Sequence, residues 1–316
     1  MENDAESVRK IGNILNDQNQ QLAERFRALF TLRNIGGGET AIECIGKSFS
    51  DPSSLLKHES AYCLGQMQDP RAIPLLTSVL EDDTQETIVR HEAGEALGAI
   101  GIPSSIEVLK KYEHHPVQEI SETCQLALQR IEWQTSQRKA EEESRLKPNP
   151  FNSVDPAPPA VETSVADLKE TLLDHGQALF ARYRAMFALR NLNTEESVLA
   201  LAEGLKCEDS ALFRHEIAYV LGQMQHEASI PQLQEQLAKV SEDPMVRHEC
   251  AEALGSIAAE KCLETLQGYV KDEARVVRES CIIALDMCDH ENSNDFQYAN
   301  ALGKLKGDVQ EEQVES

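Results

Sequence analysis

Across 316 residues, 54 acidic side chains stand against 30 basic ones, for a formal net charge of −24 and a pI near 4.7. That balance repels nucleic-acid phosphates and anionic membrane surfaces, and it suits a cationic partner. Hydrophobic residues reach 41% but aromatics only 5%, a composition of helices around a real core, and no apolar run approaches the roughly 18 residues of a membrane span. The opening MENDAESVRK lacks the basic-then-apolar pattern of a secretory leader, and the eight cysteines form no CxxC pair. The expectation is a cytoplasmic monomer with reduced, buried thiols, binding neither nucleic acid nor membrane.

In chain order, Val8, Ile11 and Leu15 open a first helix and ERFRALFTLRN (24–34) follows as its partner. LKHESAYCLGQM (56–67) comes next, closed by Asp69-Pro70, an N-cap acceptor before a proline at the first helical position. Ile73, Leu76, Val79 and Leu80 then mark one apolar face of a helix, followed by VRHEAGEALGAI (89–100) and EISETCQLALQRI (119–131). The stretch 134–164 carries five prolines and a charge run and reads as a flexible linker.

Beyond it the chain repeats itself. Val165, Leu168 and Leu172 answer Val8, Ile11 and Leu15; YRAMFALRN answers FRALFTLRN; HEIAYVLGQM answers HESAYCLGQM; RHECAEALGSI answers RHEAGEALGAI, always at an offset of 157. Within each copy the motif recurs after 33 residues, from His58 to His91 and from His215 to His248, the length of one helical hairpin. The fold expected is all-α: eight hairpins resembling HEAT-like repeats, a solenoid in two duplicated halves that face each other. The halves are 1–133 and 165–290, with a polar, acidic and disordered tail over 291–316.

Six His-Glu steps occur, and four share a frame: a basic residue before the His (Lys57, Arg90, Arg214, Arg247) and Leu-Gly six residues after it. The steps at 226 and 290 lack that frame and are placed in surface turns. The outer repeats carry Phe26, Tyr183 and, in the last, Glu279-Ser280 where the His falls, so the pair is no part of the generic scaffold. Inner helices of a solenoid lie about 8–10 Å apart. Four imidazoles and four carboxylates (His58, Glu59, His91, Glu92, His215, Glu216, His248, Glu249) could therefore bind two metals, each with two histidines, carboxylates and open positions. That donor set favours non-heme iron over structural zinc. The HExxH pattern of zinc proteases is absent, since Tyr62, Glu95, Tyr219 and Glu252 stand four after each His. Glu95 and Glu252 would share the histidine face and attract a cationic substrate such as an amine. Gly65 and Gly222, like Gly98 and Gly255, would leave room there for a ligand. Met67, Met224, Cys281 and Cys288 read as core.

These duplicated (K/R)HE…LG motifs resemble the deoxyhypusine hydroxylase family of HEAT-repeat di-iron monooxygenases, over nearly the whole of 1–290. The resemblance implies iron bound by the eight His and Glu residues named above, with O2 as co-substrate. It also implies hydroxylation of the aminobutyl side chain of deoxyhypusine on translation initiation factor five A, forming hypusine. From the residues alone two other readings stand: a non-catalytic protein-binding scaffold, and a metal-dependent lyase or hydrolase on the same solenoid, the latter including relatives of the bilin-attaching HEAT-like proteins.

Overall fold

A computed structural model describes residues 5–36, 38–293 and 298–301. Its regular structure is helical throughout: α1 (Ala5–Asn16), α2 (Leu22–Ile35), α3 (Glu39–Gly46), α4 (Ser54–Met67), α5 (Ile73–Glu81), α6 (Thr87–Ile100), α7 (Ile106–Tyr112) and α8 (Gln118–Thr135) form the first half. A short α9 (Gln137–Glu142) leads to α10 (Val165–Leu173), α11 (Leu179–Leu192), α12 (Glu195–Glu203), α13 (Ala211–Met224), α14 (Ile230–Ala238), α15 (Pro244–Ile257), α16 (Glu260–Tyr269) and α17 (Arg275–Glu291). Apart from α9 these pair into the eight expected hairpins, with α2, α4, α6 and α8 of one half and α11, α13, α15 and α17 of the other as inner rows. Inner helices are buried nearly all round: α4 buries every residue from Leu55 to Ala61. Side-chain caps at Ser53, Ser210 and Asp243 fix where α4, α13 and α15 begin.

Neighbouring inner helices approach closely at the glycines. A side-chain carbon at Gly65 would lie 2.8 Å from the Cα of Ala96, at Gly98 2.9 Å from that of Ala127, and at Gly222 3.0 Å from that of Ala253. Gly65 and Gly222, expected to make room for a ligand, both make room for the next helix, and Gly222 also lines the cavity over the histidines. Buried arginines staple the hairpins: the Nε of Arg25, Arg90, Arg182 and Arg247 donates to the carbonyl ten residues earlier at 2.8–2.9 Å. Three of these guanidiniums reach an aspartate of the following repeat: Asp51, Asp209 and Asp272.

The stretch 134–164 departs from the expected flexible linker. Its backbone at Val154 exchanges hydrogen bonds with Gln66 (2.8 and 3.2 Å), Asp155 pairs with the fully buried Arg190 at 2.6 Å, and Ala157 is 1% exposed. Its prolines and charges preclude a core of its own, and it borrows contacts from both halves instead. The tail differs in part: His290-Glu291 closes α17 rather than sitting in a turn, Tyr298 covers Arg27 and Phe30, and Ala301 is buried. The rest of the tail, 294–297 and 302–316, lies outside the described residues.

The halves meet twice, so the solenoid closes into a ring. At one junction α8 packs on α11 and α13, with Ser210 Oγ donating to Glu122 at 2.6 Å. At the other α17 packs on α2 and α4, with Ser53 Oγ donating to Glu279 at 2.7 Å and Arg27 paired to Asp286 at 2.9 Å. Ser53 and Ser210 are 157 residues apart, as are Glu122 and Glu279. The two clasps are therefore pseudo-symmetric copies.

Candidate metal and substrate site

Four of the inner helices, α4, α6, α13 and α15, each contribute one His-Glu step to the middle of the ring. His58, His91, His215 and His248 are at most 4% exposed, and His58 has its ring centroid 5.3–5.9 Å from those of the other three. Glu92 bridges the first pair, its Oε2 lying 3.2 Å from Nε2 of His58 and 3.5 Å from Nε2 of His91. Glu249 Oε2 lies 3.3 Å from Nε2 of His215. The ligating atoms of His58, His91 and Glu92, of His58, His215 and His248, and of His248, Glu249 and Glu252 each fall within 4.8 Å of one another.

Glu59 and Glu216 stand apart from this arrangement. Glu59 meets His58 on the opposite ring nitrogen, Nδ1, at 3.1 Å, and Glu216 Oε1 is buried without a hydrogen-bond partner. Both line a cavity of about 320 Å³ over the histidines, whose other walls include Phe26, Phe30, Ile283 and Met287. Glu92 and Glu249 line it as well; expected as ligands beside them, Glu59 and Glu216 differ in that Glu59 meets an Nδ1 and Glu216 Oε1 has no partner, where Glu92 and Glu249 approach an Nε2. Glu95 lines the same cavity. Glu252 does too, yet its Oε1 also backs onto His248 Nδ1 (3.4 Å) and accepts from Ser280 (3.0 Å). Its surroundings therefore make it a support of His248 as much as a substrate contact.

Electrostatically the cluster is unfinished. The Nε2 atoms of all four histidines are buried without a hydrogen-bond partner, each a costly omission in a packed interior. Burial drives His91 down to about 4 and His248 to about 3, and with help from its imidazole neighbours it holds His215 well below the ordinary imidazole value. Burial opposes protonation of His58 as well, but Glu92 and Glu59 outweigh it and hold that ring charged. Burial, then mutual repulsion, pushes Glu95, Glu216 and Glu249 well above the ordinary carboxylate range. Three neutral imidazoles and the charged His58, aimed inward among crowded carboxylates, are a donor set that divalent cations satisfy once the His58 proton is displaced.

Two repeat families match: HEAT repeats over 8–88 and 230–296, and the PBS lyase HEAT-like repeat over 89–113, 181–207 and 213–239. Deoxyhypusine hydroxylase of Danio rerio is 60% identical over 97% of this chain and 99% of its own length, and that of Homo sapiens 59% identical over 96% and 98%. This chain belongs to the deoxyhypusine hydroxylase family. The structure of human deoxyhypusine hydroxylase in complex with glycerol superposes with a TM-score of 0.86 at 59% identity, covering 90% of this chain and 97% of that one. Among the described residues no helix is long and apolar enough to cross a membrane.

Other side chains, given no role from the sequence, also meet around the histidines. Tyr62 and Tyr219 join their hydroxyls at 2.9 Å across the two halves, and their shared offset of 157 was the available signal. Thr123 and Ser280 stand behind His91 and His248, with Oγ atoms 3.0 and 3.4 Å from Nδ1. They too are 157 residues apart, but they come from helices whose sequence lacks the framed His-Glu motif, so the offset alone does not tie them to the histidines.

Proposed function

We propose that this chain hydroxylates the aminobutyl side chain of deoxyhypusine on translation initiation factor five A, with O2 and two iron ions held between its halves. The observation that carries this reading is the convergence of four buried imidazoles with unpartnered Nε2 atoms. A scaffold that only bound other proteins would have no use for such desolvated groups. The histidines together with Glu92 and Glu249 fit as holders of the metals, their oxygens being those turned toward Nε2. Bound iron supplies the electrons and Lewis acidity that turn O2 into an oxidant able to attack an unactivated methylene.

The remaining residues deal with the substrate. Glu59 and Glu216, on the cavity side of the histidines, fit as partners for the ammonium groups of a polyamine-like chain. Phe26, Phe30, Ile283 and Met287 would pack along its methylenes and exclude water, leaving the carbon to be oxidised over the histidine cluster. The opening, about 320 Å³, admits an extended side chain and not a folded partner, so the protein substrate must insert a projecting residue. The decisive experiment measures iron per chain alongside O2-dependent formation of hypusine on factor carrying deoxyhypusine. About two irons per chain with product only under oxygen is the expected result; metal-free, inactive protein after reconstitution with Fe2+ would sink the proposal.

A further inference from the structure

The last helix of each half, α8 and α17, places no His-Glu step in the site (His290-Glu291 lies at the far end of α17), yet both run under it. At matching positions, 157 residues apart, they bear Glu122-Thr123 and Glu279-Ser280. Both hydroxyls are buried, at 2% and 0% exposure. Thr123 Oγ1 lies 3.0 Å from Nδ1 of His91. Ser280 Oγ lies 3.4 Å from Nδ1 of His248 and donates onward to Glu252 at 3.0 Å. The opposite nitrogen of each ring, Nε2, faces the cluster without a hydrogen-bond partner.

An imidazole binds metal through a nitrogen that carries a lone pair, and what the other nitrogen donates to decides which one that is. A hydroxyl oxygen fixed behind Nδ1 accepts its proton, leaves Nε2 free and sets the ring plane. Resting on the reading of His91 and His248 as ligands, we propose that Thr123 and Ser280 are positioning residues that hold these two imidazoles, tautomer and tilt, for the metals. The terminal repeats thereby complete a site to which they lend no ligand. The two supports are unequal. Behind His248, Ser280 Oγ and Glu252 Oε1 both stand 3.4 Å from Nδ1 and Ser280 holds the carboxylate in place, whereas Thr123 backs His91 with a hydroxyl alone.

Anaerobic titration of metal-free, full-length protein with Fe2+ tests this without reference to turnover. Thr123→Val keeps the shape and removes the acceptor, and Ser280→Ala removes its counterpart; each should weaken Fe2+ binding by about 10–100-fold. Thr123→Ser and Ser280→Thr should restore it, with the melting temperature of the metal-free forms little changed. Affinities within about twofold of wild type in both Thr123→Val and Ser280→Ala would overturn the proposal. So would conservative variants that lose as much as the disruptive ones, or a loss matched by a fall in metal-free stability, since either marks a packing role. If Thr123→Val does not fold, Ser280→Ala and Thr123→Ser decide by the same criteria. Wild-type protein that takes up no Fe2+ would remove the metal reading, and this inference with it.

Discussion

Successive residues of an α-helix point about 100° apart, so a His-Glu step splays its two side chains and a neighbouring helix is needed to complete each ligand group. In this ring the carboxylate that meets His58 Nε2 is Glu92, from the neighbouring helix, while Glu59 reaches only Nδ1. The same crossing pairs His215 with Glu249. Residue types and their fourfold recurrence were legible in the sequence. The division of labour among the glutamates was not, because it depends on how far each helix is rotated against the next. The division has a measurable consequence. Glu92→Gln and Glu249→Gln should each lose iron and activity together. Glu59→Gln and Glu216→Gln should keep near-normal iron and raise KM about tenfold or more, the scale of one lost charge-assisted contact. Elemental analysis beside steady-state kinetics separates the two classes. Normal iron content in Glu92→Gln and Glu249→Gln would refute the assignment.

At the scale of helices, the basic residue ahead of each His belongs to the scaffold. Arg90 and Arg247 bond the carbonyl ten residues back, just as Arg25 and Arg182 do in hairpins lacking the His. Lys57 and Arg214 instead reach Glu86 and Glu242 of the next repeat. Burial tends to raise Asp272, but Arg247 more than compensates and leaves its carboxyl below the ordinary value of 3.8; Asp209 is lowered likewise by Arg182. A depressed carboxylate contributes stability that is present above its unfolded value and is lost as pH falls through the folded one. Asp272→Asn should therefore lower the melting temperature most near neutrality, with the gap to wild type closing below about pH 4. A gap independent of pH would show that the ion pair is not its source. The glycines make a second test. At Gly98 a methyl would sit 2.6 Å from the Ala127 side chain and 2.9 Å from its backbone, so Gly98→Ala should cost about 1–3 kcal/mol in denaturant unfolding. The repeat period and helix pairs were readable because apolar spacing and duplication record them directly. The order in 134–164 was not, since a segment that packs by hydrogen bonds to Gln66, Arg184 and Arg190 leaves no apolar period to read.

For the molecule as a whole, the proposed ligands come from both halves, so the site exists only while the ring is shut. The two junctions are unequal. Where α8 meets α11 and α13, the Ser210–Glu122 clasp is reinforced by covalent continuity. The docked segment adds to it, with Asp155 on Arg190, Glu142 on Arg184 and the Arg184 carbonyl accepting from the Ala160 amide. Where α17 meets α2 and α4, closure relies on Ser53–Glu279, Arg27–Asp286 and Tyr298 donating to Asp286. The second junction carries fewer constraints, and removing the proposed metals would take away the ties they make between halves, leaving Tyr62–Tyr219 across the middle. Metal-free protein should therefore open at α2 and α17 first. Arg27→Ala combined with Glu279→Gln should speed amide exchange in those helices by tenfold or more, the factor corresponding to roughly 1.4 kcal/mol. It should also enlarge the metal-free particle in small-angle scattering, while Fe2+ draws it back toward wild-type dimensions. Exchange that rises equally in α8 and α11 would mean that the ring loosens everywhere, and that the terminal junction is no gate.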